Sequence, residues 1–299
     1  MIRQIIRANR SLVFFAVLVC VVAVFFLWLP PRSRTEFSGA EAFGLVEKQL
    51  GFGARVPGSS AHSAFLSWAG EYLRSQGWLV YQDDVFRGQS IKNLIAEKGS
   101  GNRWILLGAH FDSRMIADQD PGYPGIQQAV DGANDGASGV AVLMELARVL
   151  QIPDDTRVTL VLFDAEDQGR LSGWEWIMGS TYYAETLYQY PEAVVIVDMV
   201  GDKDLNLMRE RNSDEGLQSK IWQIAATLGY GKVFLDEPGY SMLDDHTPFL
   251  KLGIPAVDII DFDYPFWHTT QDNLNNVSAE SLEAVGKTLE TWVETYPGE

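Results

Sequence analysis

The chain of 299 residues has a single cysteine, Cys20, and none from residue 40 onward. No disulfide can brace the larger part of the molecule, so packing and whatever its charged side chains bind must hold it together. Basic residues are also scarce: 23 Lys and Arg stand against 40 Asp and Glu, a formal charge of −17. Five arginines and no acid precede residue 35, so taking them away leaves −22 for the rest. Such a surface repels phosphate backbones and anionic lipid, which argues against nucleic acid as a partner; it suits a substrate with a positive amino group and equally a solvated acidic surface that keeps the protein soluble. The chain lacks a G-x-S-x-G elbow and a P-loop lysine, so neither a serine hydrolase nor a nucleoside-triphosphate hydrolase is indicated. It also lacks internal repeats and low-complexity runs.

One segment has no charge at all. Residues 12–29 (LVFFAVLVCVVAVFFLWL) are apolar throughout, and about 18 such residues cross a bilayer as a slightly short helix. Arg3, Arg7 and Arg10 precede it and keep residues 1–11 in the cytoplasm. No A-x-A pattern follows the apolar core, which runs into Leu29-Pro30-Pro31-Arg32. The expectation is an uncleaved, single-pass signal anchor, with Cys20 a small apolar residue inside it. Residues 30–39 then form a linker and 40–299 one extracytoplasmic domain, long enough for a sizeable α/β core. The residues imply no particular oligomeric state.

Hydrophobic periodicity predicts helices over 60–77, 138–150, 216–228 and 279–296, and strands over 91–97, 104–109, 157–163, 193–197 and 255–260. Several strands are apolar on both faces and alternate with helices. That pattern predicts an α/β fold with a mostly parallel twisted sheet and helices on both faces.

Ligand-type residues follow these strands. GAHFDS supplies His110 and Asp112, GANDGASG supplies Asp135, LFDAED supplies Glu166 and Asp167, VIVDMVGD supplies Asp198, and FWHTTQDN supplies His268. Carboxyl ends of strands are where open α/β sheets place their sites. Two histidines and three carboxylates can hold one or two zinc ions. Asp112, two residues after His110, suits a carboxylate that orients the ring. Glu166 and Asp167 are adjacent and point different ways, so one can bind metal while the other moves protons. The small residues around Asp135 allow close backbone approach; the plainer reading is a strand-to-helix turn capped by Ser138. Asp164 reads as structural, His62 as a surface residue and His246 as a structural neighbour.

Together with DDHTPF (residues 244–249), these segments resemble the zinc exopeptidase family that contains bacterial aminopeptidases and glutaminyl-peptide cyclotransferases. The resemblance runs from Arg55-Val56-Pro57-Gly58-Ser59 to the last helix. The motifs DDHTPF and WHTTQDN are closer to the cyclotransferase branch. That branch implies one zinc on Asp135, Asp167 and His268, with Glu166 as proton shuttle, Asp244 and Asp198 as its supporting acids, and Trp267 as a pocket wall. The implied reaction is cyclisation of a peptide's N-terminal glutamine to pyroglutamate. The aminopeptidase branch implies two zincs, with His110 and Asp198 completing the set, and release of the N-terminal residue. Three positions depart from the cyclotransferase pattern. Asp167 stands where a glutamate is usual, Asp258 falls where a histidine is usual, and the aromatic that follows the carboxylate pair has only the displaced Trp174.

Overall fold

The computed structural model describes residues 36–125 and 127–296. The expected cytoplasmic arm and membrane anchor, with Cys20, lie outside the described residues, as does the linker as far as residue 35. Among the described residues no helix is long and apolar enough to cross a membrane. The last positions assigned to the linker belong to the folded unit. The N–H groups of Glu36 and Phe37 donate to the Glu290 carboxylate at 2.7 and 3.1 Å, and Phe37 is buried.

Helices α1 (Gly39–Leu50) and α2 (Ser60–Ser75) lead into strands β1 (Leu79–Phe86), β2 (Ser90–Gly99) and β3 (Arg103–His110). Then come α3 (Ala137–Val149), β4 (Thr156–Phe163), α4 (Met178–Glu185), β5 (Ala193–Asp198) and β6 (Leu207–Arg209). The chain closes with α5 (Glu215–Leu228), β7 (Phe234–Pro238), α6 (Thr247–Lys251), β8 (Ala256–Ile260) and α7 (Ala279–Glu294).

Six strands make one sheet in the order β1-β2-β4-β3-β5-β8, while β6 and β7 pair separately. β4, β3, β5 and β8 are mutually parallel; β2 is antiparallel to β4 and to β1. The sheet is therefore mixed, with its parallel part where the apolar strands lie. Successive side chains on a strand face opposite sides, and both sides are covered. Ile105, Leu107, Leu160, Leu162, Val195 and Val197 pack in one cluster with α1, α2, α3, α5 and α7. Leu106, Val161, Phe163, Val194 and Ile196 pack in the other with α4 and α6. Burial on both faces is why these strands read as unbroken apolar runs.

The helix after β3 starts at Ala137, with Gly136 at its N-cap in a left-handed conformation (φ 98°). Ser138 is not the cap: its Oγ donates to the Asn134 carbonyl at 2.5 Å and accepts from the Val200 N–H at 3.1 Å. A Cβ on Gly136 would come within 2.7 Å of the Asp112 carbonyl oxygen and 3.3 Å of the His110 ring. Glycine there lets the start of α3 press against the end of β3.

Candidate active site and metal centre

The parallel strands deliver their carboxyl ends to one edge of the sheet. From β3 the chain turns toward α3 on one face, and from β4 toward α4 on the other. Such a divergence opens the crevice in which open α/β sheets hold ligands. His110 and Asp198 are the terminal residues of β3 and β5, and Glu166 and Asp167 lie in the loop after β4. Asp135 precedes α3, and His268 lies in the loop after β8.

The crevice brings all five ligand-type residues together in two trios that share one carboxylate. In the first, His110 Nε2 is 3.0 Å from Asp135 Oδ1 and 3.1 Å from Asp198 Oδ1. In the second, His268 Nε2 is 2.7 Å from Asp167 Oδ1 and 3.7 Å from Asp135 Oδ2. Within each trio the candidate ligand atoms lie within 4.8 Å of one another, and every residue is buried. Asp135 Oδ2 has no hydrogen-bond partner among the described residues. A buried carboxylate oxygen without a donor is costly, and a cation supplies the missing partner. Imidazole nitrogens and carboxylate oxygens are ligands zinc accepts, so the donor set fits zinc.

Without a cation these groups hold protons instead. Burial works against a charged His268, but Asp167, Asp118 and Asp135 outweigh it and push its pKa up to about 9. The same balance, dominated by Asp198 once burial is overcome, holds His110 well above its ordinary value. Burial and the neighbouring Asp135 push Asp167 up to about 6.

A second ring of residues orients the first. Asp112 Oδ1 lies 3.5 Å from His110 Nδ1, and its carboxylate accepts from the N–H groups of Glu166 and Asp167 at 3.0 and 3.3 Å and from Gln168 Nε2 at 2.9 Å. It thus ties the end of β3 to the loop after β4. Burial opposes its charge, but these contacts hold its pKa below the ordinary value. Asp118 stands 3.3 Å from His268 Nδ1 and is gripped by Arg114 through two bonds of 2.9 and 2.7 Å. Asp272 accepts from the N–H groups of Asn134 and Asp135 at 2.8 and 3.2 Å and from the Tyr264 hydroxyl at 2.8 Å, fixing the loop that carries Asp135. Asp118, Arg114 and Tyr264 were not among the residues singled out from sequence. Asp118 lies outside every ligand motif, and only its spacing of four from Arg114 hints at a pair.

A cavity of about 210 Å³ opens beside the trios, lined by Glu166, Asp198, Asp244, Trp176 and Trp267 among others. Burial, and then the charge of Asp244, pushes Glu166 well above the usual carboxylate range. Burial and Asp198 do the same to Asp244. Trp267 stacks on the His268 ring with centroids 3.6 Å apart, and Trp176 is stacked with the same ring at 6.0 Å. Trp176, rather than Trp174, is the aromatic that follows the carboxylate pair into the cavity. Its ring occupies the space a Cβ on Gly169 would need. Behind Asp244, buried His246 lies 3.3 Å from Glu210 and 3.7 Å from Asp258. Asp244, His246 and Asp258 are also close enough to hold a cation; burial pushes both carboxyls above their ordinary range.

One assignment is corrected. His62, expected on the surface, is buried, and its Nε2 meets Asp164 Oδ1 at 2.9 Å. His62 precedes Phe65, Leu66, Ala69 and Leu73, all buried, at helical spacing, so it falls on the inner face of α2.

An open α/β sheet whose strand ends gather two histidines and three carboxylates, one of them common to both trios, with a glutamate beside them, is a candidate metal centre of the kind that serves hydrolases and related transferases. Residues 93–293 match the model of Peptidase family M28. The chain belongs to that family. It is 29% identical over 239 residues to aminopeptidase YwaD of Bacillus subtilis, an alignment covering 73% of this chain and 47% of the relative; the chain thus spans about half the length of that protein. Among solved structures it is similar to Porphyromonas gingivalis glutaminyl cyclase, with TM-score 0.81 and 35% identity over 86% of this chain and 98% of the other. It is also similar to a Zn-dependent exopeptidase from Parabacteroides distasonis, with TM-score 0.79 and 29% identity over 86% and 98%.

Proposed function

We propose that the protein cyclises the N-terminal glutamine of peptides to pyroglutamate with release of ammonia. The observation that carries this reading is the cavity itself. It is small, walled by Trp267 and Trp176, and faced by the two acids Glu166 and Asp244, whose pKa values are both pushed up. The likeness to a glutaminyl cyclase at 35% identity supports it. Asp135, Asp167 and His268 would hold the zinc. Bound there, zinc supplies a Lewis acid for the γ-carbonyl.

The chain's own groups do the rest. The α-amine nitrogen attacks the γ-carbamoyl carbon, the new C–N bond closes the ring, and the C–NH₂ bond breaks. Glu166 takes the proton lost by the amine and returns it to the leaving nitrogen, a task suited to a buried carboxyl whose pKa is raised. Burial, and then the neighbouring Asp244, keep that pKa raised. The tryptophan walls exclude water, which would otherwise compete with the amine for the carbonyl. Nucleophile and electrophile belong to one residue, so orientation is the protein's main contribution.

Aminopeptidase action is the second reading, favoured by the complete five-residue set with Asp135 shared between two trios. It would need zinc on both trios, with Glu166 accepting a proton from the attacking water. The two readings separate in one assay. The purified protein is given peptides beginning with Gln and with Leu, and zinc per chain is counted. Ammonia release with the peptide bond intact supports cyclisation; peptide cleavage with two zincs per chain replaces it by hydrolysis. For location, we propose that residues 12–29 anchor the chain with its catalytic domain outside the cytoplasm. Extraction of membranes at alkaline pH should leave the protein in the pellet; release into the supernatant would rule out an anchor.

A further inference from the structure

Among the residues lining the cavity, Arg170 is the one base, set against the acids Asp135, Glu166, Asp167, Asp198 and Asp244. It is exposed, and among the described residues its side chain has no ion pair or hydrogen-bond partner. Arg114, nearby in the fold, is the contrast. Its guanidinium is bound to Asp118 and to the carbonyls of Asp167 and Gly169, and lies over Trp176. Arg114 builds the site; among the described residues Arg170 has no such partner.

The backbone keeps Arg170 in place. Leu171 N–H donates to the Gln168 carbonyl at 3.2 Å, which makes Arg170 the third residue of a tight turn, with φ 63°. That position favours glycine, because other side chains crowd the backbone there. An arginine at such a position, three residues after Asp167, is held beside the cavity by the turn.

We infer that Arg170 recognises a carboxylate on the residue after the substrate's N-terminal one. The inference rests on the cavity binding a peptide N-terminus, as proposed above. With the α-amine drawn to Glu166 and the first side chain inside about 210 Å³, the peptide leaves through the mouth, where the exposed Arg170 stands. A planar guanidinium with five donors and no protein partner matches a carboxylate through paired hydrogen bonds. The carboxylate can be the side chain of Asp or Glu at the second position or the terminal carboxylate of a dipeptide; both present the same group at the mouth. An exposed pair of this kind contributes modestly, so the expected preference is about two- to fivefold in kcat/KM.

The test uses the full chain with Arg170→Ala and Arg170→Glu. Substrates are Gln-Glu-amide, Gln-Ala-amide, Gln-Lys-amide and Gln-Ala with a free carboxylate, plus the same four peptides beginning with Leu. The native protein should prefer Gln-Glu-amide over Gln-Ala-amide by about two- to fivefold, mostly in KM. The ratio should fall to near one in Arg170→Ala, and Arg170→Glu should turn the preference toward Gln-Lys-amide, a reversal that a purely structural arginine would not produce. A preference for free-acid Gln-Ala alone assigns the terminal carboxylate as the ligand. A native ratio near one for both anionic peptides, or ratios unchanged by both substitutions, overturns the inference. If only the Leu peptides react, cyclisation fails as a reading while the Leu series still tests Arg170. If neither series reacts, both fall.

Discussion

Asp118 Oδ1 sits 3.3 Å from Nδ1 of His268, on the side of the ring away from the Asp167 oxygen that faces Nε2 at 2.7 Å. The imidazole is thus held by one carboxylate while offering its other nitrogen to the metal centre. A carboxylate behind a ligating histidine fixes its tautomer and raises its basicity, and removing it typically costs about 10- to 100-fold in metal affinity. Asp118→Asn should weaken zinc binding by that factor with the fold unchanged. Chelator competition reads the affinity, and a native value in the variant would show that His268 needs no such support.

Glu166 lines the cavity but belongs to neither trio. Glu166→Gln should keep its zinc and lose about 10²- to 10⁴-fold in kcat, the usual contribution of a positioned proton carrier. Zinc per chain and turnover are measured on the same sample. A variant with full zinc and a tenth or more of native activity would remove Glu166 from the mechanism.

Zinc uptake should depend on pH, because ligands must shed their protons to bind. Despite burial, Asp167 and Asp118 push His268 up to about 9 in the cation-free centre. Near pH 7 that ring is charged, so binding must expel a proton. Apparent affinity should rise as pH climbs toward about 9 and level off above it. Titration in weakly buffered solution should show acid release on adding zinc; constant affinity over that range would contradict the protonated ring.

Glu210 ties two segments together. Its carboxylate accepts from the N–H groups of Asn212, Ser213 and Met242 and from the Ser213 hydroxyl, at 2.7–2.9 Å. Burial favours the neutral acid, but His246 and these donors outweigh it and bring the pKa down to about 2. A depressed carboxyl stabilises the fold above its ordinary pKa, and that stability is lost as pH falls toward about 2. Glu210→Gln should cost on the order of 2 kcal/mol near pH 7 and progressively less toward about pH 3. Denaturant midpoints of both proteins at the two pH values decide it; a gap that does not shrink in acid would place the effect elsewhere.

The parallel strands and the ligands at their ends were legible because apolar runs buried on both faces announce themselves, and a charged residue ending one stands out. Asp198 and His110 are of this kind. β1 left no such mark: only Val80 is buried, both faces meet solvent, and Gln82, Asp83 and Asp84 break its apolar pattern. α1 was hidden by the assumption that the linker ran to residue 39, although Ser38 caps the helix by accepting from Glu41 N–H. The supporting carboxylate Asp118 was invisible for a different reason, and Asp272, though inside the WHTTQDN motif, gave no sign of what it holds. Each acts on a residue far away or around a turn, through contacts that only the folded chain creates.

The placement of β3 has a consequence for how the chain assembles. Its two neighbours, β4 and β5, both come later in the sequence, so a growing chain that ends before residue 156 carries a central strand with both edges open. Neither edge can be satisfied by what has already been made, and such exposed edges invite mispairing. His110, at the end of that strand, cannot meet Asp198 until β5 is in register beside it. A zinc held by Asp135, Asp167 and His268 would likewise need the segments after β4 and β8 brought beside the start of α3, so it would stabilise only chains whose sheet has closed.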